Sequence, residues 1–233
     1  MQIHFATLDT CAEAGGTVVV IDVIRAMTTA AYAFAAGVRD IVPAGTVDEA
    51  LALRARFPGA LVMGEVGGLP VPGFDFGNSP AALIGRDLHG TRLIQRTSAG
   101  TQGLVRSARA GLLLGGNFVC AAATVRYIQA QGAAEVTLVK TGQEDEDQAC
   151  AEYLAALLRA ERPPVAALLA RTHDAGLIRM SDAGFGHDFT EAERVEFVAD
   201  LTCCTALDRF DFVLRVERQA DLLVMAPVPA RPR

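Results

Sequence analysis

Short runs of β-branched and other apolar residues alternate along most of the chain with stretches that carry apolar residues at helical spacing. Residues 18–21 are continuously Val and Ile, the pattern of a strand that is covered on both faces. Further apolar runs follow at 41–44, 61–63, 91–95, 111–114 and 135–139. The alternation predicts an α/β fold with three layers (α/β/α), in which helices cover both faces of a largely parallel, mixed sheet.

The last third of the chain differs from this alternation. It contains a helix start at Thr190 and a closing pair of apolar runs at 210–216 and 222–225. No low-complexity linker divides the sequence. We therefore expect a single α/β domain over residues 1–233, built as one body or as two lobes, with a frayed tail at 227–233.

Composition narrows the class of protein. Hydrophobic residues make up 51% of the chain and charged residues 21%, which is typical of a globular protein. No apolar run reaches the roughly 20 residues that a membrane span needs, and the net charge of −6 argues against nucleic acid as a main partner. We expect a cytoplasmic protein with neither a membrane nor a nucleic-acid partner, and homo-oligomer formation stays open.

Polar residues gather where predicted strands end. Asp22, Arg25 and two threonines lie between the first strand and its helix, and other polar loops follow at 64–68, 96–101 and 141–147. Because the carboxyl ends of parallel strands share one edge of a sheet, we expect these four loops to converge. An Asp directly after four β-branched residues is costly to bury without a partner, so we favour a functional role for Asp22 over a structural ion pair.

The remaining polar loops allow two interpretations each. Residues 97–101 offer hydroxyls and a glycine before a helix, which suits either an anion cradle or an ordinary capped loop. The acidic run at 144–147 suits either a solvated helix start or a holder of a hard cation such as Mg²⁺. Glu65, between glycine-containing turns, would be a further carboxylate in such a cluster. Lys140 is the only lysine, so an anion clamp here would consist of arginine and backbone amides.

Three familiar phosphate-site patterns are absent from the sequence. There is no Gly-Lys-Ser/Thr of a P-loop. Cys120 and Arg126 have the spacing of cysteine phosphatases, but the residues between them lack glycine and look helical. Ile24 stands where a pattern of two aspartates separated by one residue needs its second Asp. No histidine falls in a converging loop, so nucleophilic catalysis by Ser or Cys has no support.

Five blocks of the sequence, in order, resemble the 2-phosphosulfolactate phosphatase (ComB) family. They are VIDVIRAMTT at 20–29, GE at 64–65 with GFDFGNSP at 73–80, TSAGT at 97–101, ED at 144–145 and LDRFD at 207–211. The resemblance covers nearly the whole chain. It implies an α/β protein with a Mg²⁺-dependent phosphatase activity. The family's substrate is 2-phospho-3-sulfolactate, which is hydrolysed to 3-sulfolactate and phosphate on the route to coenzyme M.

The loops and the resemblance together give a set of predicted site residues. The predicted catalytic residues are Asp22, Arg25 and Glu65. The predicted Mg²⁺ ligands are Asp22, Glu65, Glu144 and Asp145. The predicted substrate-binding residues are Thr28, Thr29, Asn78, Arg96, Thr97, Ser98, Gly100, Thr101 and Arg209. A covalent phosphoryl intermediate on Asp22 stays open beside direct attack by water.

Two departures from the family pattern bear on the substrate. The family commonly has Arg where this chain has Val66, and Asn where it has Ala99. Losing a cation near a doubly anionic substrate would change substrate recognition without removing phosphatase chemistry. The alternatives are therefore a phosphohydrolase for a different small acid and a non-catalytic homologue that binds small phosphorylated or sulfonated anions.

Overall fold

The structure is a computed structural model that describes residues 1–142, 145–181 and 189–230. Within these residues ten strands form a mixed sheet in the order β1-β8-β2-β7-β9-β10-β3-β6-β4-β5. The strands are β1 (Gln2–Thr7), β2 (Gly16–Ile21), β3 (Asp40–Pro43), β4 (Leu61–Val66), β5 (Leu69–Pro70), β6 (Arg92–Arg96), β7 (Ala110–Gly116), β8 (Glu135–Lys140), β9 (Phe212–Gln219) and β10 (Leu222–Pro229). The helices are α1 (Ala26–Ala35), α2 (Val47–Arg56), α3 (Gly100–Arg106), α4 (Ala121–Ala130), α5 (Asp145–Leu158), α6 (Val165–Ser181) and α7 (Glu191–Cys204).

The central strand β2 shows why helices lie on both faces of the sheet. Its side chains alternate between the faces, as in any strand. Val19 and Ile21 belong to a core with residues of α4, α5 and α7, whereas Val18 and Val20 belong to a second core with residues of α1. The predicted three-layer α/β/α fold with a largely parallel, mixed sheet is thereby confirmed.

The sheet consists of two parallel groups joined by a hairpin. Strands β1, β8, β2 and β7 are mutually parallel, as are β3, β6 and β4. The β9–β10 hairpin pairs antiparallel with β7 on one side and with β3 on the other. Counted along the sheet, three antiparallel pairings separate the groups, so pairing alone would give the two groups opposite directions.

Contacts nevertheless bring the carboxyl ends of the two groups together. The β10–β3 pairing consists of one register pair, Met225 and Ile41, and neighbouring strands are rotated by about 20–25° on average, which accumulates across the sheet. At the end of β6, the Gln95 side chain donates a hydrogen bond of 3.0 Å to the carbonyl of Ala26 at the start of α1. The strand-end loops therefore meet as expected. The reason is not the expected one, because the two groups of strands do not end at a single shared edge of the sheet.

The structure adds three elements that the sequence pattern did not predict, β1, β5 and α6. The helix expected to start at Thr190 is α7, which continues to Cys204. Residues 227–229, expected to be frayed, continue β10 and pair with β9, while 231–233 lie outside the described residues. In the described ranges, no helix has both the length and the apolar character needed to cross a bilayer.

Candidate active site

Asp22 lies at the junction of β2 with α1, and its carboxylate is buried. Its Oδ1 accepts a hydrogen bond of 2.9 Å from the backbone N–H of Ala26, the first residue of α1. A Cβ placed on Gly100 would come within 2.6 Å of Asp22 Oδ2. Glycine at the start of α3 therefore permits the close approach of this second helix to the carboxylate.

Asp147, which the sequence reasoning did not single out, is the carboxylate whose charge raises the pKa of Asp22 most. Its Oδ1 accepts a hydrogen bond of 2.9 Å from Val23 N–H, and its Oδ2 accepts bonds of 2.8 Å from Gly142 N–H and 3.1 Å from Thr141 N–H. The side chain thus ties the loop after β8 to the loop after β2. Its position in the first turn of α5 was the available signal, because carboxylates there satisfy backbone N–H groups.

The environment raises the pKa of both carboxyls. Burial raises the pKa of Asp22 to about 7, with the negative charge of Asp147 as the next cause, while the Ala26 N–H and Arg179 act against the rise. Burial and Glu146 raise the pKa of Asp147 to about 6, against the effect of its backbone hydrogen bonds. Two buried acids side by side hold fewer than two negative charges near neutral pH unless a cation joins them.

Asp145, a predicted metal ligand from the acidic run, is paired with an arginine. Asp145 forms a bidentate ion pair with Arg171, at 2.6 and 2.8 Å, and its side chain is 48% exposed. The Arg171 guanidinium lowers the pKa of Asp145. Glu144 lies outside the described residues, so its predicted role stays a prediction.

Glu65, Arg96 and Ser98 come together at the ends of β4 and β6. Glu65 Oε1 accepts a hydrogen bond of 2.6 Å from Ser98 N–H, and Oε2 accepts bonds from Gly68 N–H at 2.6 Å and Ser98 Oγ at 3.1 Å. Arg96 Nη1 donates to the Glu65 carbonyl at 2.6 Å. Gly64 has a φ of +140°, and a Cβ there would lie 1.8 Å from the Arg96 carbonyl oxygen, so only glycine lets the strands meet this way.

Most of the predicted threonine hydroxyls form hydrogen bonds with backbone groups and do not face open space. Thr97 and Thr101 bond each other's backbone N–H groups, at 3.0 and 2.9 Å. Thr28 Oγ1 donates to the Val23 carbonyl at 2.8 Å. Thr29 Oγ1 is buried and has no hydrogen-bond partner in the structure. The loop at 97–101 thus behaves as a capped turn in the structure, and substrate binding by these hydroxyls stays a prediction.

A cavity of about 530 Å³ opens beside these loops and takes in three of the predicted site residues, Arg25, Glu65 and Asn78. Asn78 is buried, and its Oδ1 has no hydrogen-bond partner in the structure. Asp22 is not among the described residues that line the cavity. Arg25 therefore brings the β2–α1 loop to the cavity, whereas Asp22, close to it in the sequence, is buried.

Arg25 has partners on α7 that sequence reasoning missed. Its Nη1 donates a hydrogen bond of 2.7 Å to Asp200 Oδ2, and its guanidinium lies 5.1 Å from the ring centroid of Phe197. The only signal for Asp200 in the local sequence of α7 is that this acid lies on a helix face whose other buried residues are apolar.

Two residues that the sequence analysis discussed lie apart from the cavity. Arg209 places its guanidinium 5.7 Å from the ring centroids of both Tyr32 and Phe210, and its predicted role in substrate binding stays a prediction. Cys120 is fully buried, and burial raises the pKa of its thiol. A protonated, inaccessible thiol is not a nucleophile, so the rejection of a cysteine-phosphatase site is supported.

Comparison with known proteins identifies the family. The family model described as 2-phosphosulpholactate phosphatase matches residues 5–219. The chain belongs to this family. A Bacillus subtilis protein named probable 2-phosphosulfolactate phosphatase is 30% identical over 208 residues, which are 88% of each chain.

Two further relatives carry the same name and match over shorter stretches. The protein from Carboxydothermus hydrogenoformans is 40% identical over 149 residues, which are 62% of this chain and 61% of the relative. The protein from Deinococcus radiodurans is 37% identical over 147 residues, 59% of this chain and 61% of the relative. The sequence resemblance to the phosphatase family is thereby confirmed.

The donors around Asp22 are oxygen atoms, which are the ligands that Mg²⁺ prefers. Among the described residues, no group of three His, Cys, Asp or Glu side chains lies close enough together to hold a metal ion. Mg²⁺ usually takes one or two protein carboxylates and fills its other positions with water and substrate phosphate. Asp22 and Glu65 supply two oxygen-donor carboxylates, and Glu65 contributes to the raised pKa of Asp22, so the chemistry of the donor set fits the ion.

Proposed function

We propose that this protein hydrolyses the phosphate monoester of a small anionic organic acid with the help of Mg²⁺. The first substrate to test is 2-phospho-3-sulfolactate, because the relatives' names point to it. The observation that carries the proposal is the shared cavity of Arg25, Glu65 and Asn78 at the junction of the strand-end loops. Among the described residues, its lining supplies the cation Arg25 and a buried amide oxygen, Asn78 Oδ1, that has no hydrogen-bond partner there.

Arg25 is the residue that would neutralise the transferred group. A phosphate monoester resists hydrolysis because its own negative charge repels the attacking oxygen, so charge neutralisation and positioning are the main tasks of the protein. A guanidinium can donate two parallel hydrogen bonds to phosphoryl oxygens. Contacts with α7 hold this side chain in place before substrate arrives.

Asn78 and Glu65 would orient the attacking water molecule and the hydroxyl group of the organic acid. Asn78 Oδ1 can accept a hydrogen bond from a water molecule or from the hydroxyl group of the organic acid. Glu65 is held rigidly by Ser98 and Gly68 and can orient a water molecule for attack. Each role is one of positioning, which needs fixed side chains more than shifted pKa values.

Asp22 and Glu65 would hold the Mg²⁺ ion. When bound, the ion would polarise the phosphoryl oxygens and lower the pKa of a bound water molecule. The raised pKa of Asp22 reflects surplus negative charge in a buried place, which a divalent cation would offset. Asp147, whose oxygens accept hydrogen bonds from backbone N–H groups, would add its negative charge to the site.

Phosphate release from 2-phosphosulfolactate, phospholactate and p-nitrophenyl phosphate, with and without Mg²⁺, tests the function. We expect turnover that needs Mg²⁺. Hydrolysis of phospholactate but not of 2-phosphosulfolactate would identify a phosphohydrolase for a different acid. Binding of inorganic phosphate or a sulfonate without hydrolysis of any ester would favour the non-catalytic anion binder instead.

A further inference from the structure

Asp200 is a fully buried carboxylate on α7 that accepts hydrogen bonds from residues on two sides of the cavity. Its Oδ2 accepts the hydrogen bond from Arg25 Nη1 at 2.7 Å. Its Oδ1 accepts bonds from Ser79 Oγ at 2.6 Å and from Ala81 N–H at 3.0 Å. A buried carboxylate needs both a countercharge and hydrogen-bond donors, and Asp200 obtains them from two segments that are far apart in sequence.

The contacts of α7 fix the side chain of Arg25 on two sides. Phe197 and Asp200 are three residues apart, so they lie on the same face of the helix. The ring of one and the carboxylate of the other both contact the guanidinium. A free arginine side chain has large rotamer entropy, and these contacts remove much of its freedom before any ligand binds.

The same carboxylate also fixes the opposite wall. Ser79 directly follows Asn78, whose Oδ1 has no partner and which lines the cavity. By accepting the Ser79 hydroxyl and the Ala81 N–H, Asp200 sets the position of the segment that presents Asn78. The Asp200 side chain thereby fixes the position of the Arg25 guanidinium relative to the Asn78 amide, and both of these groups face the cavity.

We propose that Asp200 is a positioning residue that aligns Arg25 and Asn78 for the phosphate ester. The proposal rests on the function proposed above, since Arg25 is there the group that neutralises the phosphoryl charge. Asp200 acts through Arg25 and Ser79, because its own oxygens are occupied by these donors and by Ala81.

The first test is D200N, which keeps the shape of the side chain and removes its charge. Misplacing a positioned group by about 1 Å can cost about 100-fold in rate, so we expect kcat to fall about 10- to 100-fold. The matched control is D40N, since Asp40 is also buried and paired with an arginine, Arg92, at 2.6 Å, but lies outside the cavity. D40N should lose thermal stability like D200N and keep the parent's kcat and KM.

A double variant separates action through Arg25 from a general loss of structure. If Asp200 acts in part through Arg25, adding D200N to R25A should lower kcat by clearly less than D200N lowers it in the parent, because only the contacts with Ser79 and Ala81 are then left to lose. Losses that multiply in the double variant would overturn the proposal. So would D200N with kcat and KM within about twofold of the parent.

Two further measurements keep the proposal testable if these variants fail. Should D200N not fold, S79A removes one bond to Oδ1 and leaves the Arg25 pair; we expect a raised KM with little change in kcat, and an unchanged KM would contradict the proposal. Should the parent hydrolyse no ester, the proposed function fails, and calorimetry with inorganic phosphate decides the positioning role. Affinity weakened about tenfold by S79A and by D200N, if it folds, would support the role, whereas unchanged affinity, or no binding by the parent, would overturn it.

Discussion

Asp40 and Asp22 are both buried carboxylates next to a strand terminus, and their surroundings shift their pKa values in opposite directions. Asp40 begins β3. Burial raises its pKa, but hydrogen bonds from Arg92 and Arg39 outweigh burial and leave the pKa below its ordinary value. Asp22 follows β2 and faces the carboxylate of Asp147, so burial and a like charge together raise its pKa to about 7.

The difference separates an acid that is paired with arginine and has a structural role from an acid that lies beside another negative charge. An acid with arginine partners is already neutralised, and removing it leaves the buried arginine charge unpaired, which destabilises the fold. An acid beside another acid pays for its burial in stability and gains affinity for a proton or a metal ion. In this chain the second kind lies at the carboxyl end of a central strand, beside the cavity, which is where α/β proteins bind their ligands.

The largest expected effect is on turnover by D22N. Removing the charge of the proposed Mg²⁺ ligand should lower phosphate release at least about 100-fold, while the circular dichroism spectrum stays that of the parent. D40N removes a buried carboxylate of the structural kind and should keep full turnover. Equal rates for D22N and the parent would remove Asp22 from the mechanism.

The next effect concerns the stability of D40N. Breaking this buried pair should lower the free energy of unfolding by about 2–3 kcal/mol at pH 7, measured by urea titration. Because the folded pKa of Asp40 lies below its unfolded value of 3.8, its contribution is present above pH 4 and is lost as the pH falls through the folded value. The gap between parent and variant should therefore narrow in acid; a gap that does not depend on pH would contradict the assignment.

The pH dependence of D22N should have the opposite sign. The pKa of Asp22 rises from 3.8 to about 7 on folding, so its stabilising contribution is complete below pH 4 and is lost as the pH rises through 7. In the presence of a chelator, D22N should gain about 1–3 kcal/mol over the parent between pH 5 and pH 8. D40N gives the control, because it should lose stability at pH 7 rather than gain it, and a D22N that gains no stability over the parent would refute the raised pKa.

The sequence allowed β2, its following helix and Asp22 to be predicted, because a continuous Val/Ile run before an acid is a strong local signal. It also brought Glu65, Ser98 and Arg96 into one set, and they do contact each other. The missed strand β1 has mostly exposed side chains along its length, so it lacks the apolar run on which the strand predictions rested.

Asp147 and Asp200 could not be found in the same way. Asp147 differs from Asp145 only by being two residues further along α5, and which of them turns inward depends on how the helix packs. Asp200 gains its role from Arg25 and Ser79, which are 175 and 121 residues away in sequence. Such long-range pairings follow from the sheet order, which joins its two parallel groups through the closing hairpin.

The most direct test of a cation site at Asp22 is thermal unfolding at pH 8, with the protein first treated with chelator and then titrated with Mg²⁺. At 100 times the dissociation constant, bound Mg²⁺ should stabilise the parent by about 2.7 kcal/mol, seen as a higher Tm. D40N should show the full shift and D22N should lose it. The same shift in D22N as in the parent, or none in the parent, would contradict the account.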